Sequence, residues 1–291
     1  MIPEPQPSRI TYKAVVFLVI SGGLDSFNML VPECNPYKEQ YLRMRGVLSL
    51  SADKLIPISV RKEPLQPCTR FSLHYKLEEL QKSYNMGRTL FFANTGVLND
   101  ELDNTNYRTL SKLFAHNLMQ EEIQRIDAPT TETSTGVIGR MMDALNGLTD
   151  ENGNPYKVGS ISIVSRSTVL VGETGKSPTP ITVKKRGSTR FDPYPWSDRE
   201  KWSHIDLIPA IQNINNATSA ESLFAEAWSS DLLRSIEESK IIEKALSSAK
   251  ITEKFTGFDY SEKLKRVASL IQTADVRGVD RDAFYVNFAG W

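Results

Sequence analysis

Apolar and polar positions alternate along this chain in blocks of two kinds. Val15–Ile20 is an unbroken, β-branched apolar run that stops at Gly22-Gly23. Such a run reads as a strand buried on both faces. Thr89–Asn94, Val158–Val164, Thr168–Val171 and Phe284–Phe288 read as strands on the same grounds. Helical spacing takes over between them. Leu77, Leu80 and Tyr84 share one face, and Gly87 stands at the expected stop. Tyr107–Ile126 reads as a helix with Leu110, Leu113, Phe114 and Leu118 on one side. Ile138, Met141, Met142 and Leu145 follow the i, i+3, i+4, i+7 pattern and end before Gly147. Ala220–Lys250 and Ser261–Ala274 are amphipathic helices, so 220–274 is mainly helical. The stretch 172–202 is rich in proline and glycine, has no regular period, and reads as a long irregular excursion. Strands alternating with helices predict an α/β fold whose sheet is covered on both sides. The expected organisation is a single domain over 1–291.

Composition narrows the function classes. At 40% hydrophobic residues the chain can bury a sizeable core. Lys plus Arg (35) equals Asp plus Glu (35), so no nucleic-acid or anionic-membrane partner is expected. The local run Lys184-Lys185-Arg186 reads as a solvated loop. No segment approaches the roughly 20 apolar residues of a membrane span. Met1-Ile2-Pro3-Glu4-Pro5 lacks the basic and apolar regions of a signal peptide, and the compartment stays open. Cys34 and Cys68 are the only cysteines. Cys34 follows the loop at Pro32, and Cys68 precedes a segment from Ser72 read as helical. Their spacing allows a disulfide or two free thiols equally.

Candidate chemistry gathers behind the first strand. Ser21-Gly22-Gly23-Leu24-Asp25-Ser26 matches the SGGxDS loop of the ATP pyrophosphatases, the adenylating enzymes that include asparagine and GMP synthetases. That loop cradles phosphate with glycine backbone N–H groups and the start of a helix. Pro32 and Pro36 would interrupt such a helix after one or two turns.

A second resemblance extends over most of the chain. Gly22-Gly23-Leu24-Asp25-Ser26-Phe27-Asn28-Met29-Leu30-Val31-Pro32 resembles the GGxDxxNxxVP segment of the family catalogued as domain of unknown function 1501. Phe71–Tyr75 with Leu77, Leu80 and Tyr84 resembles its "LHP…L…LY..G" helix, and Leu90–Gly96 the strand after it. Leu113-Phe114-Ala115-His116-Asn117 resembles its "(S)H" segment, and Thr135–Arg140 its "TGWLGR". Ala283–Trp291 resembles the strand leading to its second polar cluster. The match is weakest from about Lys157 to Asp259.

The resemblance implies an alkaline-phosphatase-like sandwich with a mostly parallel central sheet covered by helices. It also implies a lineage of metal-dependent phosphate or sulfate ester hydrolases. Asp25 would be a metal ligand, Asn28 would orient it or add an oxygen, and His116 would be a further ligand. The metal would be a divalent zinc, manganese or calcium ion. Without the family, Asp25 reads as a turn cap and His116 as a surface histidine. Two departures matter. Many relatives carry a candidate nucleophilic serine where this chain has Ala115. In the family, an aspartate and a histidine follow the Gly-aromatic pair matched by Gly290-Trp291, so a C-terminally incomplete domain and site are expected. Relatives also often carry export signals. The expectations are therefore a hydrolase scaffold without a complete active site, or a second chain completing that site. A non-catalytic binding or structural protein on the same scaffold is the alternative, and the adenylating enzyme is a third reading.

Overall fold

The structure is a computed structural model. It describes residues 11–60, 67–93, 95, 96, 101, 103–110, 115–126, 135–173, 175, 176, 179–185, 209, 213 and 223–288. The chain divides into two compact units, Met1–Ile20 with Gln120–Ala289, and Ser21–Met119 with Gly290–Trp291.

The first unit is built on a parallel sheet of four strands. These are β1 (Lys13–Ile20), β5 (Val158–Ile163), β6 (Ile181–Val183) and β7 (Arg281–Phe288), in the order β1-β7-β5-β6. All three pairings are parallel, and β7 runs alongside β1 from Lys13↔Arg281 to Ile20↔Phe288. Side chains alternate across β7. Ala283 and Tyr285 enter one apolar cluster with Val19, Val158, Ile138 and Met142, the last two on α5 (Val137–Asn146). Phe284 and Val286 enter the other with Ile242 of α6 (Leu223–Ser248) and Val267 and Leu270 of α7 (Asp259–Gln272). Both faces are covered at β7, which is why it reads as a continuous apolar run; β1, at the edge of the sheet, buries only Val19 and leaves Leu18 and Ile20 exposed. A short helix, α8 (Ala274–Arg277), leads into β7. The α/β expectation therefore holds at the level of the sheet and its covering helices.

At the amino ends of the strands lies a buried ionic triad. Arg277 Nη2 meets Asp282 Oδ2 at 2.5 Å, with both side chains almost wholly out of solvent, and the Tyr12 hydroxyl donates to the same oxygen at 2.6 Å. Burial first, then the hydrogen bond to Asp282, pushes the Tyr12 phenol far above its ordinary value.

Several expected elements differ. Thr168–Val171 is a 3-10 turn over Thr168–Leu170, not a strand. The Ser167 hydroxyl accepts from Val169 N at 3.2 Å and caps it. Val169 and Leu170 are fully buried, so their β-branched and apolar character serves the core rather than a ladder. Gly136 and Gly139 of the "TGWLGR"-like segment lie directly against the backbone of Thr168–Gly172, where a Cβ would overlap main-chain atoms. The stretch 172–202 is not wholly irregular, since Ile181–Val183 adds the short strand β6 to the sheet.

The second unit carries an antiparallel sheet in the order β2-β4-β3: β2 (Leu30–Pro32), β3 (Leu55–Ser59) and β4 (Arg70–His74). Phe71–His74 is thus a strand, where the family pattern suggests a helix. Pro57 fits because β3 is an edge strand. The helices α1 (Tyr37–Arg45) and α2 (Glu78–Asn85) flank these strands in the chain. His74 caps the 3-10 turn before α2, its Nδ1 accepting from Lys76 N at 3.2 Å. Gly87 ends α2 at φ +76°. Cys34 and Cys68 form a disulfide with Cα atoms 5.6 Å apart.

No strand forms at Thr89–Ala93. Leu90 and Phe92 are 74% and 80% exposed, and no neighbouring strand pairs with them among the described residues. Asn94 lies outside the described residues. The helix expected over Tyr107–Ile126 is represented by α3 (Tyr107–Leu110) and α4 (His116–Glu122), with 111–114 outside the description. His204 also lies outside it. No helix of the described residues is long and apolar enough to cross a membrane.

Candidate functional site

The second unit holds the residues that the sequence singles out. After Gly23 the chain makes one 3-10 turn, Ser26–Asn28, and then enters β2. The long helix that an SGGxDS phosphate cradle requires is absent from this stretch, which Pro32 would interrupt.

Asp25 and Asn28 are brought together. Asn28 Nδ2 donates to Asp25 Oδ2 at 2.9 Å and to Leu48 O at 3.0 Å. The same carboxylate oxygen is ion-paired with the Arg45 guanidinium at the end of α1. Arg45 in turn sits 5.8 Å from the centroid of the exposed Phe27 ring. The Tyr41 hydroxyl donates to Asn28 Oδ1 at 2.7 Å and accepts from Leu50 N at 2.8 Å. Every arm of the Asn28 amide is therefore committed within the protein.

His116 is not part of this cluster. It opens α4, is exposed, and has no hydrogen bond or ion pair to Asp25 or Asn28 among the described residues. Among those residues, no three His, Cys, Asp or Glu side chains gather to hold a metal ion. The family pattern implies a divalent cation at Asp25, where part of the donor set is already engaged within the protein. The cationic partner of Asp25 is already a guanidinium, and the Asn28 oxygen already accepts from Tyr41.

Tyr41 connects this polar knot to a pocket of about 660 Å³. Its walls come from β2, β3, β4 and α1, and they include Glu33, Lys38, Arg70 and Ser72 among apolar neighbours such as Leu55 and Phe71. Glu33 is held from three sides. Lys38 Nζ meets its Oε2 at 2.5 Å, Ser72 Oγ donates to its Oε1 at 2.9 Å, and its backbone N donates to Arg70 O at 2.9 Å. Burial opposes its charge, but hydrogen bonds from Lys38 and Ser72, with the positive charges of Lys38 and Arg70, outweigh burial and hold its carboxyl below the ordinary value. The disulfide at Cys34 and Cys68 ties the Glu33 loop to the start of β4, so the two walls cannot drift apart.

The chemistry follows from that shift. Ser72 beside Glu33 looks like a hydroxyl and its base. A carboxylate with a depressed pKa is a poor proton acceptor, and this one is already neutralised by Lys38. The cluster suits recognition of a polar or charged group, with apolar surface beside it for the rest of a ligand.

Linear inspection misses these residues: Glu33 is far in the chain from Arg70 and Ser72 and meets them through antiparallel pairing of β2 with β4, and Lys38 reaches Glu33 from α1. The alternation in Phe71-Ser72-Leu73-His74 and the bracketing cysteines are the signals that point to them.

No protein-family model matches the chain, and no match is found among curated proteins or among solved structures.

Proposed function

We propose that this chain is a non-catalytic, small-molecule-binding protein on an alkaline-phosphatase-like scaffold, resembling the domain of unknown function 1501 family. One observation carries the reading. Asp25, which would be the first metal ligand, has its Oδ2 taken by Arg45 and Asn28, and Asn28 is itself engaged by Tyr41 and Leu48. Ala115 supports it from the sequence, since a methyl group cannot act as a nucleophile. The ordered motifs, from Gly22–Pro32 through Thr135–Arg140 to Ala283–Phe288, support the scaffold. The pocket beside Tyr41 supplies the binding surface.

Metal analysis and turnover test the reading together. Protein dialysed against buffer containing zinc, manganese and calcium should retain none of them stoichiometrically. Its hydrolysis of p-nitrophenyl phosphate or sulfate should not exceed that of Asp25→Ala. Stoichiometric metal that disappears in Asp25→Ala, accompanied by metal-dependent turnover, would establish the hydrolase instead. Recovery of turnover only on adding a second chain would establish a shared site.

A further inference from the structure

We propose that the first unit has a binding site for small phosphate-bearing anions where the carboxyl end of β6, the end of α6 and α7 meet. This inference does not rest on the reading of Asp25. A pocket of about 410 Å³ lies there, lined by Lys185, Lys250, Lys265 and Arg266, with Glu262 as its one carboxylate and Ser269 as its hydroxyl. The volume exceeds that of a lone phosphate and accommodates a phosphate ester or a diphosphate.

The cations are positioned rather than scattered. Lys185 follows β6 at the edge where parallel sheets place their ligands. Beside the end of β6, Val164 N–H donates to Val183 O at 2.8 Å while its own φ is +81°. A β-branched residue in that region stores roughly 1–3 kcal/mol, and such strain gathers at functional edges. Lys250 is held by Gln272, which accepts from Lys250 N at 2.7 Å and donates to Lys250 O at 3.0 Å. Lys265 and Arg266 are consecutive on α7.

The charge of the pocket is under-compensated. Lys185 is ion-paired with Asp259, but that carboxylate is shared with Lys263 at 3.0 Å. The ammonium groups of Lys250 and Lys265 have no ion-pair partner among the described residues. Arg266 donates through Nε to Lys185 O at 3.4 Å. Burial weakens its hold on the proton more than Glu243 and Glu262 strengthen it. A multivalent anion supplies charge to the Lys250 and Lys265 ammonium groups. Lys185, from a run that reads as solvated loop in the sequence, thus contributes to a wall of the pocket.

Isothermal titration of the full chain with inorganic pyrophosphate and with inorganic phosphate tests the site. Saturable binding is expected for both. Pyrophosphate should bind more tightly, and affinity should fall between about 50 and about 300 mM salt. Lys250→Glu/Lys265→Glu should weaken pyrophosphate by roughly tenfold or more, and Lys250→Ala/Lys265→Ala should weaken it less. Both pairs change exposed side chains and should keep the unliganded melting temperature. Lys240→Glu/Lys244→Glu, an equal charge change elsewhere on α6, should leave affinity unchanged. Absence of saturable binding by the unaltered protein would overturn the proposal. So would equal losses in the two glutamate pairs, or no loss in the Lys250/Lys265 pairs.

Discussion

The two units hold themselves together by different means. The first buries a parallel sheet on both faces, with Phe284 and Val286 wholly out of solvent on one side and Ala283 and Tyr285 on the other. A buried ionic group, the Asp282 triad, sits at the amino ends of the strands. The second has a three-stranded antiparallel sheet, a disulfide, and a polar network running from Asp25 through Asn28 to Tyr41. It leaves Phe27, Met44 and Val47 largely exposed. A domain with little core commonly relies on cross-links and networks. Here those devices also shape the larger pocket. Stability and the proposed recognition therefore draw on the same residues in the second unit and on separate residues in the first.

Substitutions can break that comparison, beginning where the effect should be greatest. Asp282→Ala leaves the Arg277 charge buried and unpaired, which should cost about 3–5 kcal/mol. Urea denaturation followed by amide exchange should register that loss in the first unit. Replacing Cys34 and Cys68 by serine frees a closed loop and should cost about 3–4 kcal/mol in the chain-entropy model. The loss should appear in exchange at Leu73 and Ile56, while Phe284 keeps its protection. A uniform loss over both units would mean that they unfold as one. Tyr41→Phe deprives Asn28 and Leu50 of their partner and should cost about 1–2 kcal/mol, read from the same denaturation curves.

The smallest effect is the dependence on pH. The folded Glu33 carboxyl holds its charge to a lower pH than the unfolded one. Between the two values the unfolded chain binds more protons, so stability falls as the solution is acidified. The contribution is present above the ordinary glutamate range and is lost as pH drops through the folded value. Glu33→Gln should flatten this acid limb of the stability curve. An unaltered slope would remove Glu33 from the network.

Burial decided what could be seen in the linear chain. β1, β7, α5, α6 and α7 each place side chains in a shared core, so periodicity announces them. Thr168–Leu170 is equally apolar, but a serine cap turned it into a 3-10 turn. Leu90 and Phe92 show that an apolar run without a partner does not become a strand. β6 was hidden by its three-residue length among prolines and glycines, and β3 by Pro57. The candidate site divides similarly. Asp25 and Asn28 stand three positions apart, and their meeting was legible. Arg45, which neutralises Asp25, arrives through the course of α1, and nothing local marks it. The pairing of Cys34 with Cys68 was compatible with the spacing but not determined by it.

The place of β7 in the sheet has a consequence for how the protein is made. Among the described residues it is the last strand in chain order, yet it separates β1 from β5 and bonds to both. The opening strand must wait for a partner that the ribosome delivers about 270 residues later, a closure far more distant than any within the second sheet. The antiparallel strands should consequently gain protection first. Pulse-labelled exchange during refolding should find Leu73 shielded before Phe284, with the parallel sheet assembling as the concluding event.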